Sequence, residues 1–216
     1  MNMNSTLKYI ATKFGVTIQP RYQTEIKNIN RTIMAATLGE LGFKVGAEIG
    51  VAQGWHAQIL CRENPEIKLY AVDIWSRYPG YGEYTDRITK YYQEAKKRLA
   101  PYNCVLVKKF SQDAARDFAD GSLDFVYIDG AHDFKNVAID LCEWTKKVRV
   151  GGVVYGHDYQ RWRRGRSVVD VKDVVQAFVY AHRIHPLFAL TNGIRDPKFG
   201  SDAPGWMFVR QETDLI

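Results

Sequence analysis

The feature that most constrains this fold is an alternation of short β-type runs with helical patterns. Apolar runs at residues 44–49, 68–72 and 123–128 are each followed by a segment whose apolar residues have helical spacing. Strands separated by helices form parallel βαβ units, and helices then cover both faces of their sheet. The sequence therefore predicts an α/β fold, Rossmann-like and doubly wound, with a mostly parallel sheet.

Both ends of the chain modify this pattern. Residues 24–41 carry apolar side chains at helical spacing, which predicts an N-terminal helix. Residues 187–190 and 207–209 are strand-like with no helical pattern between them, so we expect an antiparallel hairpin at the sheet edge, joined by the loop 192–205. The expected organisation is a helical extension at 1–42 and one domain at 43–216 with a seven-stranded sheet.

Length, charge and cysteine usage limit the possible classes. No apolar run approaches the roughly 20 residues that a membrane helix needs, and no secretory signal is evident at the N-terminus, so a cytoplasmic protein is expected. The three cysteines form no CxxC pair, which argues against a disulfide framework or a thiolate metal site. A formal charge of +6 would attract an anionic partner without requiring nucleic acid.

Polar residues cluster where the predicted strands end. Ligands of open α/β sheets bind beyond the carboxyl ends of the strands, near the point where the strand order reverses. The residues found at these ends are Glu48 to Gly50, Asp73, Ser111 with Gln112, Asp129, and His157 with Asp158. These are the candidate site residues.

A glycine turn and one acid suggest the type of ligand. Gly50 and Gly54 permit a tight turn and close approach of a ligand to backbone amides, but they form neither a dinucleotide fingerprint nor a P-loop. Asp73, one strand later, is placed to accept the hydroxyls of a ribose. A structural glycine turn and a helix N-cap are the alternatives for these residues. Together they favour a cofactor that carries a nucleoside.

Four segments resemble class I S-adenosylmethionine-dependent methyltransferases, and more narrowly the type-24 methyltransferase domain. They are AEIGVAQG, YAVDIW, DGSLDFVYIDGAHDFKNV and GGVVYGHDY, within about residues 45–159. The resemblance implies S-adenosylmethionine as cofactor, with its methionine part flanked by Glu48, Gly50 and Gly54. It further implies that Asp73 binds the ribose, that Ile74 or Trp75 borders the adenine, and that Ser111 and Gln112 lie near the adenine edge. Asp129 is also a candidate for cofactor contact.

A second group of residues carries the candidate catalytic chemistry. Asp129 ends one strand, His132 lies three residues later, and His157-Asp158 ends the next strand. Asp129, His157 and Asp158 are candidate ligands of Mg²⁺, Mn²⁺ or a similar divalent ion, which would acidify an acceptor hydroxyl. His132, with an ordinary pKa of about 6.5, is the candidate base, and His157 and Asp129 are also candidate catalytic residues. Base catalysis without metal and a purely structural cluster are the alternatives.

Two loops bear on the methyl acceptor. Residues 160–166 contain four arginines and Trp162, which suit an anion and a stacked ring, and the aromatic residues of 76–84 would form a lid. Either loop is equally explained as solvated or as ordinary packing. The leading expectation is O-methylation of a sugar, glycan or other small-molecule hydroxyl. An RNA methyltransferase and a catalytically inactive cofactor-binding interaction domain are the alternatives.

Overall fold

The computed structural model describes residues 4–18, 23–77, 87–165, 167–191 and 203–216. The helices in these ranges are α1 (Ser5–Phe14), α2 (Arg31–Glu40), α3 (Trp55–Glu63), α4 (Arg87–Leu99), α5 (Ser111–Ala115), α6 (Phe134–Thr145) and α7 (Val171–Ala181). The strands are β1 (Thr24–Lys27), β2 (Val45–Ile49), β3 (Lys68–Asp73), β4 (Cys104–Lys108), β5 (Leu123–Ile128), β6 (Val148–Gly156), β7 (Trp162–Arg164), β8 (Ser167–Val169), β9 (Phe188–Thr191) and β10 (Gly205–Val209).

The main sheet has eight strands in the order β1-β9-β10-β6-β5-β2-β3-β4. Strands β2 to β6 pair in parallel, whereas β10 is antiparallel to both β6 and β9. The chain winds outward from β2 to β4 and then returns to β5, on the other side of β2. The strand order therefore reverses between β2 and β5, where α/β sheets bind ligands. The predicted doubly wound, mostly parallel fold is confirmed.

Alternating side chains bury both faces of the sheet. In β5, Phe125 and Tyr127 belong to one apolar cluster, while Val126 and Ile128 belong to the other. The first cluster takes its helical residues from α1 to α4, and the second from α5 to α7. Of the helices in the described ranges, none combines the length and apolar character needed to cross a bilayer.

The N-terminal segment differs from the sequence prediction. Residues 24–41 do not form one helix, because Thr24–Lys27 pairs in parallel with β9 and buries Ile26 completely. Asn28 then turns the chain with φ 56°, and Asn30 caps α2 by accepting a hydrogen bond from the Ile33 amide at 2.9 Å. The sheet thus gains an eighth strand, and β1 instead of the β9–β10 hairpin forms its edge. The division of the chain at residue 43 stays a prediction.

The C-terminal half also contains an element that the sequence did not predict. Residues 162–164 and 167–169 form a small antiparallel hairpin, β7–β8, and α7 begins after it at Val171. Most of the expected lid at 76–84 and of the expected loop at 192–205 lies outside the described residues.

Ile26→Ala is expected to lower the free energy of unfolding by about 2–5 kcal/mol, because it removes buried aliphatic volume between β1 and the core. Urea denaturation of the purified chain measures this value. Lys27→Ala is the control, because the Lys27 side chain follows Ile26 in β1 and is 73% exposed. It should change the free energy of unfolding by at most about 0.5 kcal/mol. Equal effects of the two substitutions would contradict the assignment of β1 to the core sheet.

Candidate active site

The turn after β2 brings the backbone close to the end of β5. Gly50 has φ 88°, and its amide donates to the Val72 carbonyl at 2.9 Å. A β-carbon at this position would lie 2.1 Å from the carbonyl oxygen of Asp129, so only glycine fits. Gly54, with φ 77°, precedes the first residue of α3. The predicted glycine turn therefore lies where β2 and β5 adjoin.

Asp73 ends β3 and holds this turn in place. Its Oδ2 accepts hydrogen bonds from the amides of Val51 and Ala52, both at 2.9 Å, and its Oδ1 accepts from the Trp75 amide at 2.8 Å. Burial raises the pKa of Asp73, although these amides favour the ionised form and oppose the shift. The carboxylate is a wall of the cavity described next, so it faces both the turn and a possible ligand.

A cavity of about 270 Å³ opens at the ends of β2, β3 and β5, against α5 and α6. Five of the predicted cofactor residues line it, namely Gly50, Asp73, Ile74, Ser111 and Gln112. Its remaining walls are Ile49, Val72, Lys109, Phe110, Gly130, Ala131, Lys135, Asn136, Ile139 and Asp140. The arrangement combines apolar faces with polar groups at several points, as small-molecule sites do.

Two other predicted cofactor residues, Trp75 and Glu48, are buried and are not among the residues that line the cavity. Trp75 is completely buried, and its indole donates to the Ala52 carbonyl at 2.8 Å, so of the pair Ile74 and Trp75 it is Ile74 that lines the cavity. Glu48 is 1% exposed, and its Oε2 lies 3.3 Å from Nδ1 of His56. Burial, with Asp129 and Asp73 adding to it, raises the pKa of Glu48 well above its ordinary value.

Asp140 is a cavity residue that the sequence reasoning missed. It lies on α6 and is 5% exposed. Ser111 donates a hydrogen bond from its hydroxyl to Oδ1 of Asp140, and the Trp144 indole donates to the same hydroxyl at 2.7 Å. The helical spacing of the sequence could have identified it, because Asp140 lies between Val137 and Trp144 on the apolar side of a helix. An acid in that position is unfavourable without a partner.

Two of the predicted catalytic residues and one predicted metal ligand form an acid–imidazole cluster, defined as Asp129, His132 and Asp158. Nε2 of His132 lies 3.4 Å from Oδ1 of Asp129 and 3.1 Å from Oδ2 of Asp158. One potential ligand atom from each residue lies within 4.8 Å of the others. Two carboxylates and an imidazole fit a hard divalent ion such as Mg²⁺ or Mn²⁺.

The charges of this cluster change the expected protonation of His132. Burial by itself would lower the pKa of His132, but the hydrogen bonds to Asp129 and Asp158 outweigh it and raise the pKa to about 10. The same contacts hold the pKa of both acids below the ordinary value, against the effect of burial. In this arrangement the pKa of His132 therefore lies above the ordinary value of about 6.5 that its expected role as a base assumed.

His157 lies beside the cluster and not in the set of three. Its Nδ1 is 3.2 Å from Oδ2 of Asp158, the oxygen that His132 also contacts. Asp158 has φ 51°, and its Oδ1 accepts a hydrogen bond from the side-chain Nε2 of Gln160 at 3.2 Å. The structure therefore brings all four predicted residues together. The nitrogen that completes the set of potential ligand atoms belongs to His132, whereas His157 was expected to supply it.

The sheet supports Asp129 from a side that the sequence did not reveal. The Tyr127 hydroxyl donates to Oδ2 of Asp129 at 3.0 Å, and Nη2 of Arg31 at the start of α2 lies 3.8 Å from the same oxygen. The Tyr127 ring packs against His56, with centroids 4.0 Å apart. N-terminal residues thus contribute to the charge around the predicted catalytic acid.

The β7–β8 hairpin is attached to the loop that carries His132. Arg163 contacts Oδ1 of Asp170 at 2.9 Å, and the Asp170 amide donates to the His132 carbonyl at 2.9 Å. Alternation along β7 turns Trp162 and Arg164 to the side opposite Arg163, and both are exposed. The predicted arginine-rich segment therefore forms a surface close to the cluster.

Known proteins share the sequence pattern and the fold. A family model described as a methyltransferase domain (Methyltransf_24) matches residues 47–159. The chain is 25% identical over 125 residues to protein y4gI of Sinorhizobium fredii, and this match covers 58% of the chain and 14% of the length of that relative.

Two solved structures are similar over nearly the whole chain. Cofactor-bound Rv0187 from MTB has a TM-score of 0.61 and 17% identity, covering 98% of this chain and 92% of that one. The O-methyltransferase from Bacillus cereus in complex with SAH has a TM-score of 0.63 and 16% identity, covering 97% and 93%. At this level of identity the likeness is one of fold.

Proposed function

We propose that this chain, which belongs to the family of methyltransferase domains whose model it matches, is an S-adenosylmethionine-dependent O-methyltransferase. Its acceptor in this proposal is a hydroxyl group of a small molecule, activated with the help of a divalent ion. The observation that carries this proposal is that the acid–imidazole cluster adjoins the 270 Å³ cavity along the chain, because the two residues between Asp129 and His132 line that cavity. Gly130 and Ala131 line that cavity and directly follow Asp129. A methyl donor in the cavity would thus lie beside groups suited to activating an oxygen nucleophile.

The cavity residues bind the cofactor in this proposal. Asp73 accepts the ribose hydroxyls, Ile74 packs on the adenine, and Ser111 with Gln112 lies at its edge. Gly50 lets the methionine part approach the turn, and Glu48 and Gly54 support that turn from behind. Each of these roles requires the donor to be held in one orientation, which is how positioning contributes to rate.

The cluster activates the acceptor in this proposal. Asp129 and Asp158, with His132 or His157 as nitrogen ligand, would hold the ion, whose positive charge lowers the pKa of an acceptor hydroxyl. With His157 as the nitrogen ligand and the two carboxylates on the ion, His132 would no longer have the interactions that raise its pKa and would be the residue that accepts the hydroxyl proton. Tyr127 and Arg31 hold Asp129 in place from the sheet side.

The hairpin favours a sugar or glycan acceptor, including an anionic one. Trp162 offers a ring face for stacking, and Arg164 on the same side offers a forked donor for a carboxylate or phosphate. An RNA acceptor and an inactive cofactor-binding domain are less well supported, because the cluster is intact and the family match is to a methyltransferase domain.

Asp73→Asn is expected to weaken S-adenosylhomocysteine binding at least about tenfold, because an amide replaces an acceptor of charge-assisted hydrogen bonds. Isothermal calorimetry on the purified chain measures the affinity. Glu66→Gln is the matched control and should bind S-adenosylhomocysteine like the wild type. Glu66 is an acid with an 80% exposed side chain, and it precedes the start of β3, the end that lies away from the cavity. A wild type that fails to bind S-adenosylhomocysteine would overturn the proposed function, and equal affinities of wild type and Asp73→Asn would overturn the role of Asp73.

A further inference from the structure

Asp140 is a buried acid in the cavity wall that the proposed chemistry does not use. It faces the cavity from α6, on the side of the helix that otherwise packs Val137, Leu141 and Trp144 into the core. A carboxyl group in such surroundings is unfavourable unless hydrogen bonds compensate for the lost water. Its position therefore requires a partner.

Of the two carboxyl oxygens of Asp140, the described residues supply a hydrogen bond to one. Oδ1 of Asp140 accepts the Ser111 hydroxyl, which the Trp144 indole holds in place. Within the described part of the chain, Oδ2 receives no hydrogen bond, and it is 3.4 Å from where a β-carbon on Gly130 would lie. Gly130 is itself a cavity residue, so Oδ2 is directed at the cavity with its acceptor capacity unused.

The walls of the cavity indicate which part of the cofactor meets this oxygen. Asp73 defines the ribose position at the end of β3 under the proposed function. Val72, Ile74 and Ile139 offer apolar surfaces nearby, which suit the faces of a planar base. A base lying between these surfaces would turn its polar edge towards the Ser111–Asp140 pair.

We propose that Asp140 accepts a hydrogen bond from the exocyclic amino group of the cofactor's base, and that it makes the site selective for adenine over a 6-oxo purine. The inference rests on the proposed function, since it assumes that the cavity binds the adenosyl group. A site built to receive an N–H rejects an analogue without one, because the buried acceptor is then left unpaired. A 6-oxo base would in addition place its carbonyl oxygen against the carboxylate.

The pKa of Asp140 sets the conditions for a test. Burial raises this pKa to about 7, while the Ser111 hydrogen bond opposes the shift. Below that pH the protonated acid could donate to a 6-oxo group and obscure the selectivity. The comparison is therefore made at pH 8, where the carboxylate is mostly ionised.

The experiment measures the affinities of S-adenosylhomocysteine and S-inosylhomocysteine by calorimetry. The wild type should prefer the adenosyl compound at least about tenfold, as for a hydrogen bond to a charged group. In Asp140→Asn the preference should fall to within about threefold, because an amide both donates and accepts. Asp113→Asn removes an exposed acid from α5 and should keep the wild-type preference.

Each outcome decides the inference. A wild type that binds S-adenosylhomocysteine without preferring it overturns the inference and leaves the proposed function standing. An unchanged preference in Asp140→Asn, or an equal loss of both ligands, also overturns it, since a merely structural acid would weaken both alike. A wild type that binds neither compound overturns the proposed function and this inference with it.

Discussion

Gly50→Ala is expected to abolish cofactor binding and to destabilise the protein by about 2–5 kcal/mol. The alanine would have to adopt φ 88°, and its β-carbon would lie 2.1 Å from the backbone oxygen of Asp129. That oxygen cannot easily withdraw, because the Asp129 amide is bonded to the Ile49 carbonyl at 2.8 Å between paired strands. Relief of the clash must separate β2 from β5 at the cavity.

Calorimetry with S-adenosylhomocysteine and urea denaturation measure the two effects of Gly50→Ala. Gly42→Ala is the matched control, because Gly42 also has a positive φ, 73°, but a β-carbon there has nothing within 4 Å. The control separates backbone strain from the collision at the site. We expect it to lose about 1–2 kcal/mol of stability and to retain cofactor affinity. Equal cofactor affinity in both variants would contradict the assignment of the turn.

Asp129→Asn is expected to lower kcat/KM for methyl transfer by about 10²–10⁴-fold, the range for loss of a group that activates the acceptor. The substitution keeps the side-chain volume but removes a charge that His132 and Arg31 both face. It should also weaken Mn²⁺ binding, because an amide is a poorer ligand than a carboxylate. Transfer from labelled S-adenosylmethionine to a panel of monosaccharides, uronic acids, phenols and RNA measures activity, and calorimetry with Mn²⁺ measures ion binding.

Asp120→Asn is the control for Asp129→Asn. Asp120 precedes the start of β5, the end away from the cluster, and its 68% exposed side chain pairs with Lys147. Its replacement should leave both methyl transfer and Mn²⁺ binding unchanged. Wild-type activity should fall when a chelator is added. Full activity in chelator, combined with loss of activity in His132→Ala, would replace metal assistance by metal-free base catalysis. Wild-type activity in Asp129→Asn would overturn the catalytic role of this acid.

Local patterns account for much of the fold and of the candidate site. The alternation of strands and helices, the glycine turn and the acids at strand ends are all readable, because period and turn chemistry depend on neighbouring residues. Since parallel strands end at the same edge, the polar residues at these ends were expected to be close. Gly50 and Asp73 line one cavity, Asp129 and Asp158 belong to one cluster, and Gly50 lies against the backbone of Asp129. The family pattern also indicates the identity of the methyl donor. It does not identify the acceptor, which depends on the surrounding loops.

Contacts between distant segments account for the rest. Residues 24–27 become a strand because Ile26 pairs opposite Leu190, a partner that no local pattern reveals. The pKa of His132 rises to about 10 only because the sheet brings Asp158 and Asp129 to the same nitrogen. Asp140 faces the cavity because α6 packs beside Ser111. The sequence by itself determined the order of elements and the chemistry at strand ends, whereas tertiary packing decided which side chains face the cavity and how they are charged, since burial and charge depend on neighbours from elsewhere in the chain.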